Sequence, residues 1–181
     1  VKAGMNRFSV SVHAHRAKDE DIITGIPGSF RKKIEAIKNL VALRDRGLIS
    51  HGVAINAVLC EGNYREMVPF AAYFKKKGVT DLRFNFIRAE GRAWLAHRLV
   101  PTLRQVAPQA EKLVAWNERY GKLNITFGEV PWCFLWRVYR KNKKTFFKYI
   151  GELQDANKDV ALLSRLDSKK FNWQKRRTEK M

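Results

Sequence analysis

The sequence predicts an α/β fold built on a parallel sheet, and two features predict it. Runs rich in β-branched and aromatic residues recur at about residues 7–14, 52–60 and 81–87, and each is followed by a turn or by helical apolar spacing. The order repeats without a long polar linker, so single helices separate the strands. Right-handed crossovers then require a parallel sheet, either open and doubly wound or curved into a barrel. Both architectures place their sites at the C-terminal ends of the strands.

The first run, RFSVSVHA, alternates strictly. Phe8, Val10 and Val12 share one face, and Ser9, Ser11 and His13 share the other. A polar row suits a face that opens into a site, so Ser11 and His13 are the first functional candidates. Behind it lies a loop with Thr24, Gly25, Pro27 and Gly28. Ser29 offers an N-cap, Phe30, Ile34, Ile37 and Val41 fall at helical spacing, and Gly47 stops the helix.

The second run is rich in Val, Ile and Leu with Asn56 in its middle, as in a parallel strand covered on both faces. Asn63 and Glu66 then have capping-box spacing ahead of Met67, Phe70, Ala71 and Phe74. Pro69 fits only if the regular helix starts near it, with residues 64–68 forming a looser turn. Gly78 ends the unit. The third run leads into the loop Arg88, Ala89, Glu90, Gly91 and Arg92. Beyond it, residues 95–120 read as helical with breaks at Pro101 and Pro108, and residues 122–127 read as a short further strand. From Pro131 the chain is expected to be helical or irregular.

At 181 residues, with 45% hydrophobic and 12% aromatic content, the chain is long and apolar enough for one domain or part of one. No apolar run reaches the roughly 18 residues of a membrane span, and no signal-peptide pattern opens the sequence, so a soluble cytoplasmic protein is expected. The formal net charge is +19, and from Arg137 onward 14 Lys and Arg stand against 5 Asp and Glu. In RVYRKNKKTFFKY and KKFNWQKRR basic and aromatic residues interleave, as on a surface that follows phosphates and stacks bases. A solvated basic face on an enzyme is the preferred reading, and a non-enzymatic RNA-binding module is the alternative.

Several chemistries can be weighed at the predicted strand ends. Neither GxGxxG nor GxxxxGK[ST] occurs, so a glycine-rich phosphate cradle has no support. His13-Ala14-His15 is an HxH that could present two imidazoles to a metal, but His51 sits at a strand start and His97 in a helical stretch. Asp19, Glu20 and Asp21 are consecutive and read as a solvated loop. Ser11 as a nucleophile would need an oriented base, and His13 beside it has no acidic partner that the sequence identifies. Ligand binding is therefore the role assigned to Ser11. Cys60 reads as a small buried apolar residue at a strand end, and Cys133 as buried among aromatics.

Five segments in order, FSVSVHAH, TGIPGSF with AIKNL, INAVLCEGNY, LRFNFIRAEGRA and FGEVPWCF, resemble the later part of a radical S-adenosylmethionine enzyme. The resemblance is to members with a C-terminal auxiliary iron–sulfur region of the SPASM or twitch type. It implies a partial (β/α)6 TIM-type barrel of which the last three βα units are present, followed by a mainly helical basic extension. Residues 1–94 would be the C-terminal half of the barrel, 95–135 the bridge to the auxiliary region, and 136–181 the extension. The family reductively cleaves S-adenosylmethionine to a 5′-deoxyadenosyl radical at a 4Fe-4S cluster.

By this resemblance Ser11 would bind the methionyl carboxylate or the ribose, with His13 beside it. Asn56 and Val58 would line the ribose and adenine, the turn with Arg88 and Gly91 would close over the adenine, and Cys133 would ligate the auxiliary cluster. The CxxxCxxC motif is absent from these 181 residues, as are the Gly-Gly-Glu and the CxxC that relatives carry. The chain is therefore expected to be an internal fragment whose principal partner is the missing N-terminal half of the same barrel. With Cys60 and Cys133 as its only thiols it should hold no cluster unaided and be inactive alone. The substrate, a peptide or a small molecule, is open.

Overall fold

Four strands, all parallel, lie side by side in chain order in the computed structural model, which describes residues 6–87 and 96–150. They are β1 (Phe8–Ser11), β2 (Val53–Leu59), β3 (Asp81–Phe86) and β4 (Asn124–Gly128). Between and after them come α1 (Ala17–Thr24), α2 (Ser29–Asp45), α3 (Met67–Lys76), α4 (Leu103–Trp116), α5 (Trp136–Lys141) and α6 (Lys143–Tyr149). The fold is thus α/β with a parallel sheet, as the alternation predicts. The short further strand read over residues 122–127 is β4, which joins the sheet: Leu123, Ile125 and Phe127 are buried, and β4 pairs with β3 through the full register Asp81↔Asn124 to Asn85↔Gly128.

One face of the sheet carries the core. Val12, Ala57, Phe84 and Phe127 stand in line there, with Ile55, Leu82 and Ile125 in the row below, all buried. Helix α2 contributes Ile37, α3 contributes Phe70 and Phe74, α4 contributes Val106, Ala110 and Leu113, and α6 contributes Phe146 and Tyr149. Each Phe or Leu so placed is worth roughly 1.5–3 kcal/mol of burial. The second strand is accordingly covered on one face only, alternating buried and half-buried along its length, contrary to the two-faced burial its apolar composition suggests.

Local corrections have plain causes. The loop after β1 is interrupted by α1, which takes up Thr24, and the expected turn with Gly25, Pro27 and Gly28 is confined to residues 25–28. Ser29 does not cap α2; Asp21 does, accepting the Gly28 N–H at 2.7 Å and the Phe30 N–H at 3.2 Å. These hydrogen bonds hold the Asp21 carboxyl below the usual range. Pro108 does not break α4, since it and Arg104 both face solvent and the Arg104 carbonyl, which loses its helical donor, can turn to water. Thr102 and Gln105 supply that helix with a reciprocal capping box. Pro69 sits in the first turn of α3, preceded by a 3₁₀ turn over Tyr64–Glu66, as its chemistry requires.

Tyr149 locks the end of the fold. Asn117 opens a π-turn over Asn117–Gly121 and is fully buried, donating from Nδ2 to the Leu123 carbonyl and to Tyr149 Oη at 2.8 Å. Tyr149 in turn donates to Glu118 Oε1 at 2.7 Å. Among the described residues no helix is long and apolar enough to cross a membrane.

Candidate functional site

The face of the sheet turned away from the helices carries a different set of side chains. Register places Ser11, Asn56, Arg83 and Thr126 in one row, and Ser9, Ala54, Asp81 and Asn124 in the row below. Ser9, Ser11, Arg83 and Asn124 are exposed, and Asn56, Asp81, Asn85 and Thr126 are half-buried. Two of their hydrogen bonds run sideways across the strands and one, from Arg83 to Asn85, runs along β3. Asn85 Nδ2 donates to Asn56 Oδ1 at 2.7 Å, Arg83 Nε donates to Asn85 Oδ1 at 2.9 Å, and Asn124 Nδ2 donates to Asp81 Oδ1 at 2.7 Å. Such cross-strand polar pairs fix side-chain orientation on an uncovered face.

The structure brings Ser11 and Asn56 together as register partners on neighbouring strands, separated by about 4.8 Å of sheet spacing. Neither Ser11 Oγ nor Asn56 Nδ2 has a hydrogen-bond partner among the described residues. Val58 lies two residues further toward the strand end on the same face, half-buried. Arg88 and Gly91 lie outside the described residues, as does the Cys133 side chain, although its backbone belongs to a 3₁₀ turn over Trp132–Leu135. Arg83, Asn85 and Thr126 were not legible as site residues in isolation. Their signal was parity, since Arg83 and Asn85 alternate with Leu82 and Phe84 in LRFNF.

His13 does not extend the polar row in the simple way that alternation suggests. β1 ends at Ser11, the Val12 N–H still reaches the Asn56 carbonyl, and then the His13 imidazole turns to the backbone of β2. Its Nδ1 accepts the Val58 N–H at 3.2 Å, which assigns the neutral ring with its proton on Nε2. The ring thus replaces a ladder carbonyl. Burial lowers the His13 pKa, Glu20 opposes that shift and Lys33 adds to it.

The strand ends are held by two buried polar side chains. Glu20, fully buried on α1, accepts the His13 and Ala14 N–H groups at 2.6 and 2.7 Å on one oxygen and the Lys33 ammonium at 2.6 Å on the other. The solvated-loop reading of the acidic triplet is therefore corrected. Helical geometry splits the three residues into an exposed pair with Arg16 for Asp19, a buried anchor for Glu20 and a cap for Asp21. Asn63 does not cap a helix; its Oδ1 accepts the Cys60 N–H at 2.8 Å, and its Nδ2 donates to the His13 and Val58 carbonyls.

On the helix side of these strand ends lies a small cavity with an apolar floor that includes Ala57, Leu59 and Phe84 and a rim that includes His15, Asp19 and Glu66. Its free volume, about 10 Å³, admits a water and nothing larger. Among the described residues no three His, Cys, Asp or Glu side chains converge on a common point. Cys60 is buried, and burial pushes its thiol pKa up, away from the thiolate that ligates metals.

A pH dependence follows from His13. Its folded-state pKa lies below the ordinary 6.5, so the unfolded chain binds the extra proton first. Stability is complete above pH 6.5, falls as the pH drops toward the depressed folded value, and levels off below it. His15, also lowered, first by burial and then by Arg16, adds in the same sense. Melting temperatures of the wild type and His13→Gln between pH 7.5 and 5 should diverge least at the acid end, and parallel curves would remove His13 from this account.

No protein-family model matches the chain, and no curated protein matches it.

Proposed function

We propose that the chain is the C-terminal part of a radical S-adenosylmethionine barrel, with S-adenosylmethionine lying against the polar face at the strand C-termini. The observation that carries this is the pairing of Ser11 and Asn56, two neighbouring polar side chains with unused hydrogen-bonding atoms beside apolar Val58. Strand order supports the barrel over the doubly wound alternative. A doubly wound sheet reverses its order at a switch point, whereas the sequential order β1-β2-β3-β4 goes with helices packed on one buried face of the sheet.

The donor set fits the small cofactor. The Ser11 hydroxyl would hold the methionyl carboxylate or a ribose hydroxyl, the Asn56 amide would donate to the ribose, and Val58 would offer apolar surface to the adenine. His13 acts through position, holding the C-terminal end of β2 by accepting the Val58 N–H. When bound, the cofactor supplies a sulfonium whose reductive cleavage generates an organic radical, and the protein contributes orientation and exclusion of side reactions.

The donor set does not fit the iron–sulfur clusters. Each cluster needs several thiolates, this chain has two cysteines, and Cys60 is buried as a thiol. Cys133 would be one ligand of an auxiliary cluster at most. The main-cluster cysteines and the opposite wall would come from the preceding half of the barrel.

The reading is tested in a parent protein that carries the preceding units. A CxxxCxxC is expected roughly 90–110 residues before Ser11, the length of three βα units, and an upstream sequence without it would sink the proposal. In that protein Ser11→Ala should weaken S-adenosylmethionine binding by about tenfold, from loss of a hydrogen bond to a charged or hydroxyl group, with iron content unchanged. Calorimetric titration gives the affinity, and equal affinities would refute the assignment of Ser11.

A further inference from the structure

The hydrogen bond between Arg83 Nε and the Asn85 side chain, 2.9 Å long, has only one possible sense. A guanidinium offers donors and no acceptor whatever else it meets, so the Asn85 atom that faces it is the carbonyl oxygen. That choice propagates along the face. With its oxygen taken by Arg83, Asn85 turns its Nδ2 to Asn56, and the atom it meets there at 2.7 Å is Oδ1. Asn56 is left with its Nδ2 on the side away from Asn85, so the amide presents donors to whatever lies over the sheet.

Position supports this relay. Asn56 and Arg83 are register partners on β2 and β3, and Asn85, two residues further along β3, shares their face. The register partner of Asn85 on β4 is Gly128, which has no side chain to compete for the amide. Asn56 and Asn85 are both half-buried, so turning either amide over would set like atoms against each other with little water to relieve them. No member of the relay titrates between about pH 4 and 10, and its sense is therefore constant over that range.

We propose that Arg83 and Asn85 are positioning residues that lock the Asn56 amide as a hydrogen-bond donor, so that the site takes a lone-pair-bearing oxygen or nitrogen of its ligand at Asn56 and rejects a donor-only group there. The ligand itself rests on the cofactor reading above. For S-adenosylmethionine the relay admits a ribose or carboxylate oxygen beside Asn56 and turns away the methionyl ammonium, which has no lone pair to offer.

Two measurements test the relay and its consequence separately. In the full chain the Asn56 side-chain amide, assigned in the NMR spectrum by its loss in Asn56→Ala, is followed by its exchange with water. Asn85→Asp should slow that exchange about tenfold, because the Asn56 amide then turns over and donates to the carboxylate. Equal exchange in the wild type and the variant would overturn the proposal. In a parent protein that carries the preceding units, calorimetric titration with S-adenosylmethionine should show affinity about twofold weaker in Asn85→Ala, whose Asn56 amide populates both senses, and about tenfold weaker in Asn85→Asp, whose amide is held in the wrong one. A merely structural role predicts the reverse order, since aspartate keeps the size of the side chain and its contact with Arg83. The added charge by itself would favour a cofactor that is a net cation, so the loss reads hydrogen-bond sense. Melting curves check that each variant folds. Losses in the reverse order, or wild-type affinity in Asn85→Asp, would overturn the proposal. Failure of S-adenosylmethionine to bind the wild-type parent would sink the cofactor reading instead, and the exchange rates in the full chain would still decide the sense of the relay.

Discussion

Glu20→Ala is expected to cost the fold about 3–5 kcal/mol, read as a lower urea midpoint at unchanged slope. The physical reason is that three groups lose their partner together. The His13 and Ala14 N–H groups and the Lys33 ammonium all converge on a carboxylate that is 0% exposed. Alanine leaves a cation three-quarters removed from solvent and two strand-end donors unpaired. Lys33→Met should be milder, since it removes the cation and leaves Glu20 with its two backbone donors. In the double variant Glu20→Gln with Lys33→Met part of the loss should return, because an amide can still accept the N–H groups with no charge left to neutralise. A loss of about 1 kcal/mol or less for Glu20→Ala would mean that the pair behaves like an exposed one, and the anchoring role would fall.

Asn63→Ala should remove about 2–4 kcal/mol and loosen the site as well as the fold. Its side chain is the common partner of the Cys60 N–H and of the His13 and Val58 carbonyls, so it ties the end of β1 to the end of β2 through three hydrogen bonds. Asn63→Asp separates the two halves of that job. The carboxylate can still accept from Cys60, but it faces two carbonyls with no proton to offer; burial and those carbonyls raise its pKa above the ordinary carboxylate range, and protonation restores one donor. The Asp variant should therefore approach the wild type at pH 3.5 and fall away from it at pH 7. Hydrogen exchange at the Cys60 amide gives a local reading. It should quicken in Asn63→Ala and stay slow in Asn63→Asp, and equal protection in all three proteins would show that the Asn63 bridge is dispensable.

Both expectations concern residues whose roles periodicity could not reveal. Alternation in RFSVSV and in LRFNF separates core from uncovered face residue by residue, and the register confirms the parity of Ser11, Asn56 and Arg83. Helical spacing likewise places Ile37, Phe70 and Phe74 in the core. The acidic triplet fails that treatment, because in a helix each of three consecutive residues points about 100° from the last, and sequence does not say which direction meets the strand ends. Asn63 fails it for a related reason. An Asn three residues before a Glu has the same spacing whether it caps a helix or reaches back to β1, fifty residues earlier.

The sequence by itself determined the parallel α/β architecture, the division of the first strand into an apolar and a polar row, and the concentration of positive charge after Arg137. These follow from period, composition and connection length, which are local quantities. The tertiary structure alone decided that β4 joins the sheet, that Glu20 is an anchor, that His13 turns into the β2 backbone and that the basic pair α5 and α6 spends its apolar side on the core. Each of those depends on which distant groups are left without a partner once the helices pack. A buried donor or charge must find an acceptor wherever the fold supplies one, and no window of neighbouring residues contains that answer.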